Sequence, residues 1–287
     1  MMVVARSHQG LKVLVYAVLL LTAIIMLVPL VYLVCAAFKS NQDVYTSSFL
    51  PGGDGFLGID WSRLTTNNFQ RLFSELAFAR YLLNSVFLAS VTSVLATLCS
   101  AMGGYALAKF DFRGKSLFSN LVLVTLVMPA TLLLAPTYQL LYWLGLLDSY
   151  SGLILPAMAP AFGLYLFRQA MLQSVPSEIL GAARIDGCSE AQIFFRIVLP
   201  LVRPMIGAFL LITFLGTWNN FIGPQIVLQS SEKFPLSVAV AQLKGVYSQD
   251  YALQMAGTLV SVAPVLCLFL LLQKEFISGL TSGAVKG

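Results

Sequence analysis

PSEILGAARIDGCSEAQIFFRIVLPLVRP, Pro176 to Pro204, is neither a membrane span nor an ordinary loop. Arg184, Asp186, Glu190, Arg196 and Arg203 keep it out of hydrocarbon, where charged side chains are costly. Ile179, Leu180, Ile185, Ile193, Phe194, Ile197 and Val198 recur at helical spacings and make it too apolar for a solvated connector. Long uncharged stretches flank it on both sides. A structured loop of this kind on a polytopic membrane protein points to docking against something outside the membrane.

The flanks decide the class. The 287 residues are 58% hydrophobic and only 10% charged, with a mean hydropathy of +0.85, too little charge to cover a soluble domain. The net charge of +5 therefore says little about nucleic acid, and its distribution along the chain matters more. Cys35, Cys99, Cys188 and Cys267 are scattered and form no CxxC pair, so neither a metal site nor a disulfide framework is indicated. The single histidine, His8, lies in the N-terminal tail. Leu11–Phe38 is longer than a signal-peptide core and lacks a small-residue cleavage site, so it reads as a retained span.

At about twenty residues per helical crossing, uncharged windows predict an all-α membrane protein of six transmembrane helices: Val13–Phe38, Tyr81–Ala108, Ser116–Leu147, Ser149–Phe167, Pro204–Ser231 and Tyr251–Gln273. The third window is too long for one span, with Tyr138, Tyr142 and Trp143 marking an aromatic belt at the outer face. With the N-terminus inside, eleven of the 17 Lys and Arg residues fall on the cytoplasmic side, from Arg6 and Lys12 to Lys274 and Lys286. Both termini and Pro176–Pro204 are then cytoplasmic. The outer set includes Lys233 and Lys244. The first outer loop, near Lys39–Arg80, holds the turn-rich PGGDGFLG, followed by an amphipathic helix over Asn67–Ala79; a second runs over about Gln225–Asp250. The chain divides into 1–80 (tail, first helix and outer loop), 81–275 (transmembrane domain with the loop 176–204) and 276–287 (a cytoplasmic tail).

Within Pro176–Pro204 the pattern predicts two short helices joined at Gly187. Ser177 caps the first, with Glu178 near its positive end; Ser189-Glu190-Ala191-Gln192 starts the second as a capping box, and Leu199-Pro200 ends it. A plainer reading is a loop that only ties two spans together. Ala182-Ala183, Asp186-Gly187, Ile197 and Leu199-Pro200 resemble the cytoplasmic signature loop of permease subunits in binding-protein-dependent ABC importers, and Glu178, Ile185, Phe194, Arg196 and Pro204 fit the carbohydrate version. Asn84-Ser85, Phe112-Arg113-Gly114-Lys115 and the ending Gly279–Gly287 are similar to the maltose-type, six-span subunit, so the likeness runs from about Asn67 to the last residue.

The resemblance implies a type I importer permease fold in a bacterial or archaeal cytoplasmic (inner) membrane. It implies half of a translocation pathway for a sugar, a di- or oligosaccharide, delivered by an extracytoplasmic sugar-binding protein. The implied partners are a second permease in a heterodimer, two ATPase subunits that bind ATP and Mg, and membrane lipid; this chain holds no cofactor. Glu178, Ala182, Ala183, Asp186, Gly187, Ile197, Leu199 and Pro200 are the implied ATPase-coupling residues. The family has a glutamate before its paired alanines, where this chain has Gly181, and Glu178, one helical turn earlier, is positioned to supply that charge.

Other signals in the chain have plainer explanations beside the functional ones. Gly114-Lys115-Ser116 lacks the upstream glycine and the strand of a phosphate-binding loop, so ATP hydrolysis falls to a separate chain. Trp218, Asn219 and Asn220, inside an apolar window before Gly223-Pro224, either line the substrate path or satisfy hydrogen bonds around a helix break. Pro129, Pro136, Pro156 and Pro160 interrupt spans three and four as hinges or fixed kinks, and Gly103-Gly104 allows close helix packing. No paired acids, Ser–His pair or metal ligands occur within the spans, which disfavours an enzyme and a proton-coupled carrier. Alternatives are the same architecture importing a polyol or glycerol phosphate, and a secondary carrier.

Overall fold

A computed structural model describes residues 2–243 and 250–284. Lys244, Lys286 and the last residues of the tail, 285–287, lie outside the described residues, as does the end of the second outer loop. The described residues form helices and short turns, with one isolated β-bridge between Gly52 and Ile59. The chain divides into two compact units, Met1–Phe78 with Val240–Ala263, and Ala79–Ala239 with Pro264–Gly287.

In the first unit, α1 (Met2–Ala37) carries the apolar stretch Gly10–Ala37, whose side chains are almost all exposed; a helix apolar all round suits lipid. A distant side chain closes its C-terminus: buried Asn68 donates its amide to the carbonyl of Ala37 (2.9 Å) and, just beyond the helix, to that of Lys39 (2.8 Å). Lys39 is fully buried, with Nζ 2.9 Å from the Ser47 carbonyl beyond α2 (Asn41–Thr46). Arg63 pairs with buried Asp43, and Arg71 on α3 (Asn67–Ser74) with Asp250 at 2.7 Å. The amphipathic helix expected to reach Ala79 is thus shorter. Ala77 takes a positive φ of 50°, and the chain turns so that Phe78 is fully buried with its ring edge-on to Phe73. Aromatic burial outweighs a left-handed residue that costs about 1–2 kcal/mol.

In the second unit, the long α4 (Phe78–Lys109) carries the predicted close contact. A Cβ on Gly103 would stand 2.2 Å from the Leu164 side chain, and one on Gly104 2.6 Å from Phe167 Cβ. The third window folds as α5 (Lys115–Val127) and, after a 3-10 turn, α6 (Leu134–Trp143), bent by 101° at Met128-Pro129. Met128 is extended, as a residue before proline should be. Ser149 caps α7 (Tyr150–Ala157), and Pro160 starts α8 (Ala161–Ser174) within the one candidate span Tyr150–Ser174.

After the elbow helices α9 (Ser177–Ile185), α10 (Glu190–Ile193) and α11 (Leu199–Leu201), α12 (Arg203–Trp218) enters at an 82° bend. The fifth helix expected to reach Ser231 stops at Trp218. Asn219 turns its amide back onto the Leu215 carbonyl (2.9 Å), and a separate α13 (Ile222–Val227) follows. Short α14 (Leu236–Gln242) and long α15 (Tyr251–Ala284) complete the chain. Among the described residues, four helices are thus long and apolar enough to cross a membrane, and up to six if each bent pair is one span.

Candidate functional site

The elbow 176–204 is built by backbone chemistry that its sequence spells out. Val175 and Pro176 are extended, which ends α8; Lys109 Nζ, at the end of α4, donates to the Val175 carbonyl at 2.6 Å. Pro176, not Ser177, holds the N-cap position of α9. Ser177 is the first helical residue and makes no capping bond, because the proline fixes the entry. Gly187, at φ 80°, closes α9. Its N–H donates to the Arg184 carbonyl (3.1 Å) and that of Cys188 to the Ala183 carbonyl (3.0 Å), the paired bonds of a glycine C-terminal motif. The predicted capping box forms: Gln192 N–H donates to Ser189 Oγ, and Ser189 N–H to Gln192 Oε1 at 2.9 Å.

The second elbow helix does not end at Leu199-Pro200. It widens into a π-turn over Phe194–Val198 and runs on to Leu201. Pro200 offers no N–H to the Arg196 carbonyl and its ring crowds that carbonyl, so the local ladder loosens. Pro204 removes the next donor, and the chain bends at Val202 (φ −106°, ψ 17°).

One ion-paired cluster ties the elbow to the end of α4. Arg184 Nε donates to Glu190 Oε1 at 2.6 Å, and Tyr105 hydroxyl to Glu190 Oε2 at 3.1 Å. The Arg184 bond holds the Glu190 carboxyl below its ordinary range, against the opposing pull of desolvation. Both partners are near half exposed, so the pair fixes geometry more than it adds stability.

The apolar residues divide by face. Leu180, Ala183, Ile193, Phe194 and Val198 are buried in one core with Tyr105, Phe167, Met171 and Val175, and Ile197 and Leu199 pack half-buried on its edge. Glu178, Ala182, Asp186, Gly187 and Pro200 are exposed, alongside Ile179, Phe195 and Ile185, the last 89% exposed. The eight motif residues therefore split: five lie on the outward face, and Ala183, Ile197 and Leu199 hold the elbow to its own bundle. Outward Ile179, Ile185 and Phe195 are not among the implied coupling residues, although Ile185 fits the carbohydrate version of the motif. The signal for Ile185 was its place one turn beyond Ala182 on the same face. At Gly181 an added Cβ would meet nothing within 4 Å, so no steric reason requires glycine there.

Trp218 is buried and stacked on Phe214 (5.7 Å, 18°). Asn220 Oδ1 accepts the N–H of Gly223 at 3.2 Å, and its carbonyl accepts Ser237 Oγ at 2.8 Å. These bonds satisfy the break before Pro224. Asn220 also borders a cavity of ≈240 Å³ with Thr137, Tyr138 and Pro156, while Trp218 is buried and Asn219 is exposed with its amide on its own helix. Asn84 and Ser85 acquire a role that sequence alone did not give. Asn84 Nδ2 donates to the carbonyls of Glu232 and Phe234, and Leu236 N–H donates to Ser85 Oγ at 2.7 Å. Among the described residues no group of His, Cys, Asp and Glu is arranged to hold a metal.

Residues 100–274 match the family model described as binding-protein-dependent transport system inner membrane component. The chain is 39% identical over 266 residues to the arabinooligosaccharides transport system permease protein AraQ of Halalkalibacterium halodurans, covering 92% of this chain and 93% of that one. It is 31% identical to the lactose transport system permease protein LacG of Rhizobium radiobacter, over 94% and 95% of the two chains. In fold it is similar to a chain in the crystal structure of a bacterial ABC transporter involved in the import of the acidic polysaccharide alginate. That match has a TM-score of 0.78 at 23% identity, over 94% of this chain and 98% of that one.

Proposed function

Because this chain belongs to the family of inner membrane components of binding-protein-dependent transport systems, we propose that it is the permease half of an ATP-driven importer for a di- or oligosaccharide. It is a transport subunit and not an enzyme. In this reading six spans cross a bacterial or archaeal cytoplasmic membrane with both termini inside. A second permease completes the pathway, an extracytoplasmic binding protein delivers the sugar, and two ATPase subunits bind ATP and Mg. The sugar class rests on the names of the relatives, arabinooligosaccharides and lactose among them.

The observation that carries the reading is the two-faced elbow. Its inner face is anchored in the bundle by Ile193 and Val198, both fully buried, while Ile185 stands out in the open. A rigid anchor with an apolar outer face is what a lever seated in a cleft of another subunit requires. Glu178, Ala182, Asp186, Gly187 and Pro200 would face the ATPase, Ala183, Ile197 and Leu199 would carry the motion into the bundle, and Glu178 would supply the charge missing at Gly181. Asn220 would face the substrate path. Cysteine placed at Ile185 should crosslink to an ATPase subunit in membranes, and sugar-loaded binding protein should stimulate ATP hydrolysis by the assembled complex. Absence of both rejects the proposal.

A further inference from the structure

Among the described candidate spans, α4 is the only one without a proline. Pro29 interrupts α1, Pro264 interrupts α15, and Pro156 and Pro160 lie in Tyr150–Ser174. The two bent pairs carry Pro129 and Pro136, and Pro200 and Pro204. Sharp helix kinks arise mostly at such residues, and residues 85–102 of α4 contain neither proline nor glycine. Gly104, which follows, is no hinge: a Cβ there would press on the backbone of Phe167 and Arg168, so α4 is locked against α8. Both ends of this straight rod are fastened by side chains. At one end Asn84 Nδ2 donates to the carbonyls of Glu232 (2.9 Å) and Phe234 (3.0 Å), and buried Ser85 Oγ accepts the Leu236 N–H at 2.7 Å. At the other, buried Tyr105 is set between the rings of Phe110 and Phe194, with its hydroxyl on Glu190 of the elbow. Ser85 and Tyr105 stand about 30 Å apart along the helix, the thickness of a hydrocarbon core.

We propose that α4 is the strut that couples the outer segment Glu232–Leu236 to the elbow, with Asn84, Ser85 and Tyr105 as positioning residues. They act through hydrogen bonds at the two ends of the rod and touch neither sugar nor nucleotide. The proposal rests on the importer reading above, in which a binding protein docks outside and the ATPases grip the elbow. A stiff helix fastened at both ends carries a displacement of one end to the other, so both partners bias the same element. The segment around Lys233 is also tied to Asp148. The helices beside Asp148 transmit less: α6 follows the 101° bend, and α7 is interrupted by Pro156. The competing explanation is a pillar that only holds the bundle together. Damage to a pillar lowers assembly and every activity alike, whereas damage to a strut separates basal from stimulated turnover.

ATP hydrolysis by the intact complex in lipid vesicles is measured with and without sugar-loaded binding protein. Tyr105→Phe keeps the ring between Phe110 and Phe194 and removes only the hydroxyl. It should leave assembly and basal hydrolysis unchanged and lower the stimulation about five-fold, the low end of coupling between two sites. Glu190→Ala should lower it at least as far, and adding Tyr105→Phe to Glu190→Ala should have no further effect, because the shared bond is already gone. Glu190→Gln keeps an acceptor for the hydroxyl and should recover part of the stimulation. Val94→Pro tests the rod itself, at a position 53% exposed between the two fastenings. It should lower stimulation where Val94→Ala does not, and Tyr105→Phe decides the matter if Val94→Pro fails to assemble. Full stimulation in Tyr105→Phe overturns the strut. So does an equal fall of basal and stimulated rates, which is the behaviour of a pillar. A wild-type complex that shows no stimulation at all rejects the importer reading, and the strut with it.

Discussion

The elbow at 176–204 and the clasp around Asp148, in the same compact unit, use similar materials for opposite ends. In the clasp the donors of three residues converge on one carboxylate. Asp148, itself at φ 51°, accepts the backbone N–H groups of Gln229 and Ser230 (2.9 Å each), the Ser230 hydroxyl (2.5 Å) and Lys233 Nζ (2.8 Å). Lys233 also reaches the Asp148 carbonyl at 2.6 Å, and Asp148 N–H reaches the Val227 carbonyl at 2.8 Å. The elbow closes the joint between its helices through Gly187 and the Ser189–Gln192 box, yet leaves Ile179, Ile185 and Phe195 uncovered. A joint whose hydrogen bonds close on themselves beside an unburied apolar face is the mark of a surface built for a partner; the same bonding without such a face marks a fastening.

The largest test of this contrast separates the two faces of the elbow. Ile193→Ala removes a fully buried side chain and should destabilise the elbow by about 2–5 kcal/mol, lowering the thermal midpoint and the yield of assembled complex. Ile185→Ala removes one that is 89% exposed. It should leave the stability of the isolated permease within about 0.5 kcal/mol while weakening co-purification of the ATPase. If Ile185→Ala unfolds the permease, or leaves ATPase binding untouched, the outward face is not a docking surface.

Smaller effects come from the joints. Gly187→Val forces a β-branched residue into the left-handed region and should cost about 1–2 kcal/mol, seen as faster proteolysis between α9 and α10. Ser189→Ala breaks half of the capping box and should cost about 1 kcal/mol, with faster amide exchange at Gln192. If Gly187→Val and Ser189→Ala have no effect on exchange, the elbow is held by its core alone and the joints are incidental.

Much of this architecture was legible in the chain. The two elbow helices, the glycine joint and the capping box follow from local rules acting on Gly187, Ser189 and Gln192, and local rules need no tertiary knowledge. The close approach at Gly103-Gly104 was readable for the same reason, since small residues in a span have few other uses. What escaped were outcomes of competition. Ser177 is a good cap by type but stands behind Pro176, which already fixes the backbone. The helix after Asn67 stops short because burying Phe78 is worth more than another turn. The fifth helix stops at Trp218 because Asn219 returns to its own helix and Asn220 takes the Gly223 N–H of the next, which hydropathy averaging cannot register. The clasp was illegible outright: Asp148 and Lys233 are 85 residues apart, and nothing in either segment announces the other.

The last and smallest expected effect is a null result with a sign behind it. The bonds from Lys233 first, then from the Ser230 hydroxyl and the backbone N–H groups of Ser230 and Gln229, hold the Asp148 carboxyl well below the usual carboxylate range. A group whose pKa is depressed on folding contributes stability that is full above its unfolded value, about 3.9 for aspartate, and is lost only as pH falls through the lower folded value. Acidifying from about pH 7 to 5 therefore leaves the clasp intact, and the Gln229 and Ser230 amides should keep their protection once intrinsic exchange rates are corrected. Glu190 is shifted in the same direction, so protonation does not open the elbow in this window either. Salt does discriminate. The half-exposed Arg184–Glu190 pair is screened at high ionic strength, whereas Asp148 keeps its backbone donors whatever the salt. High salt should raise exchange around Glu190 and leave Gln229 and Ser230 unchanged. Equal responses at both places would mean that the clasp is held by its lysine alone and differs from the elbow only in its surroundings.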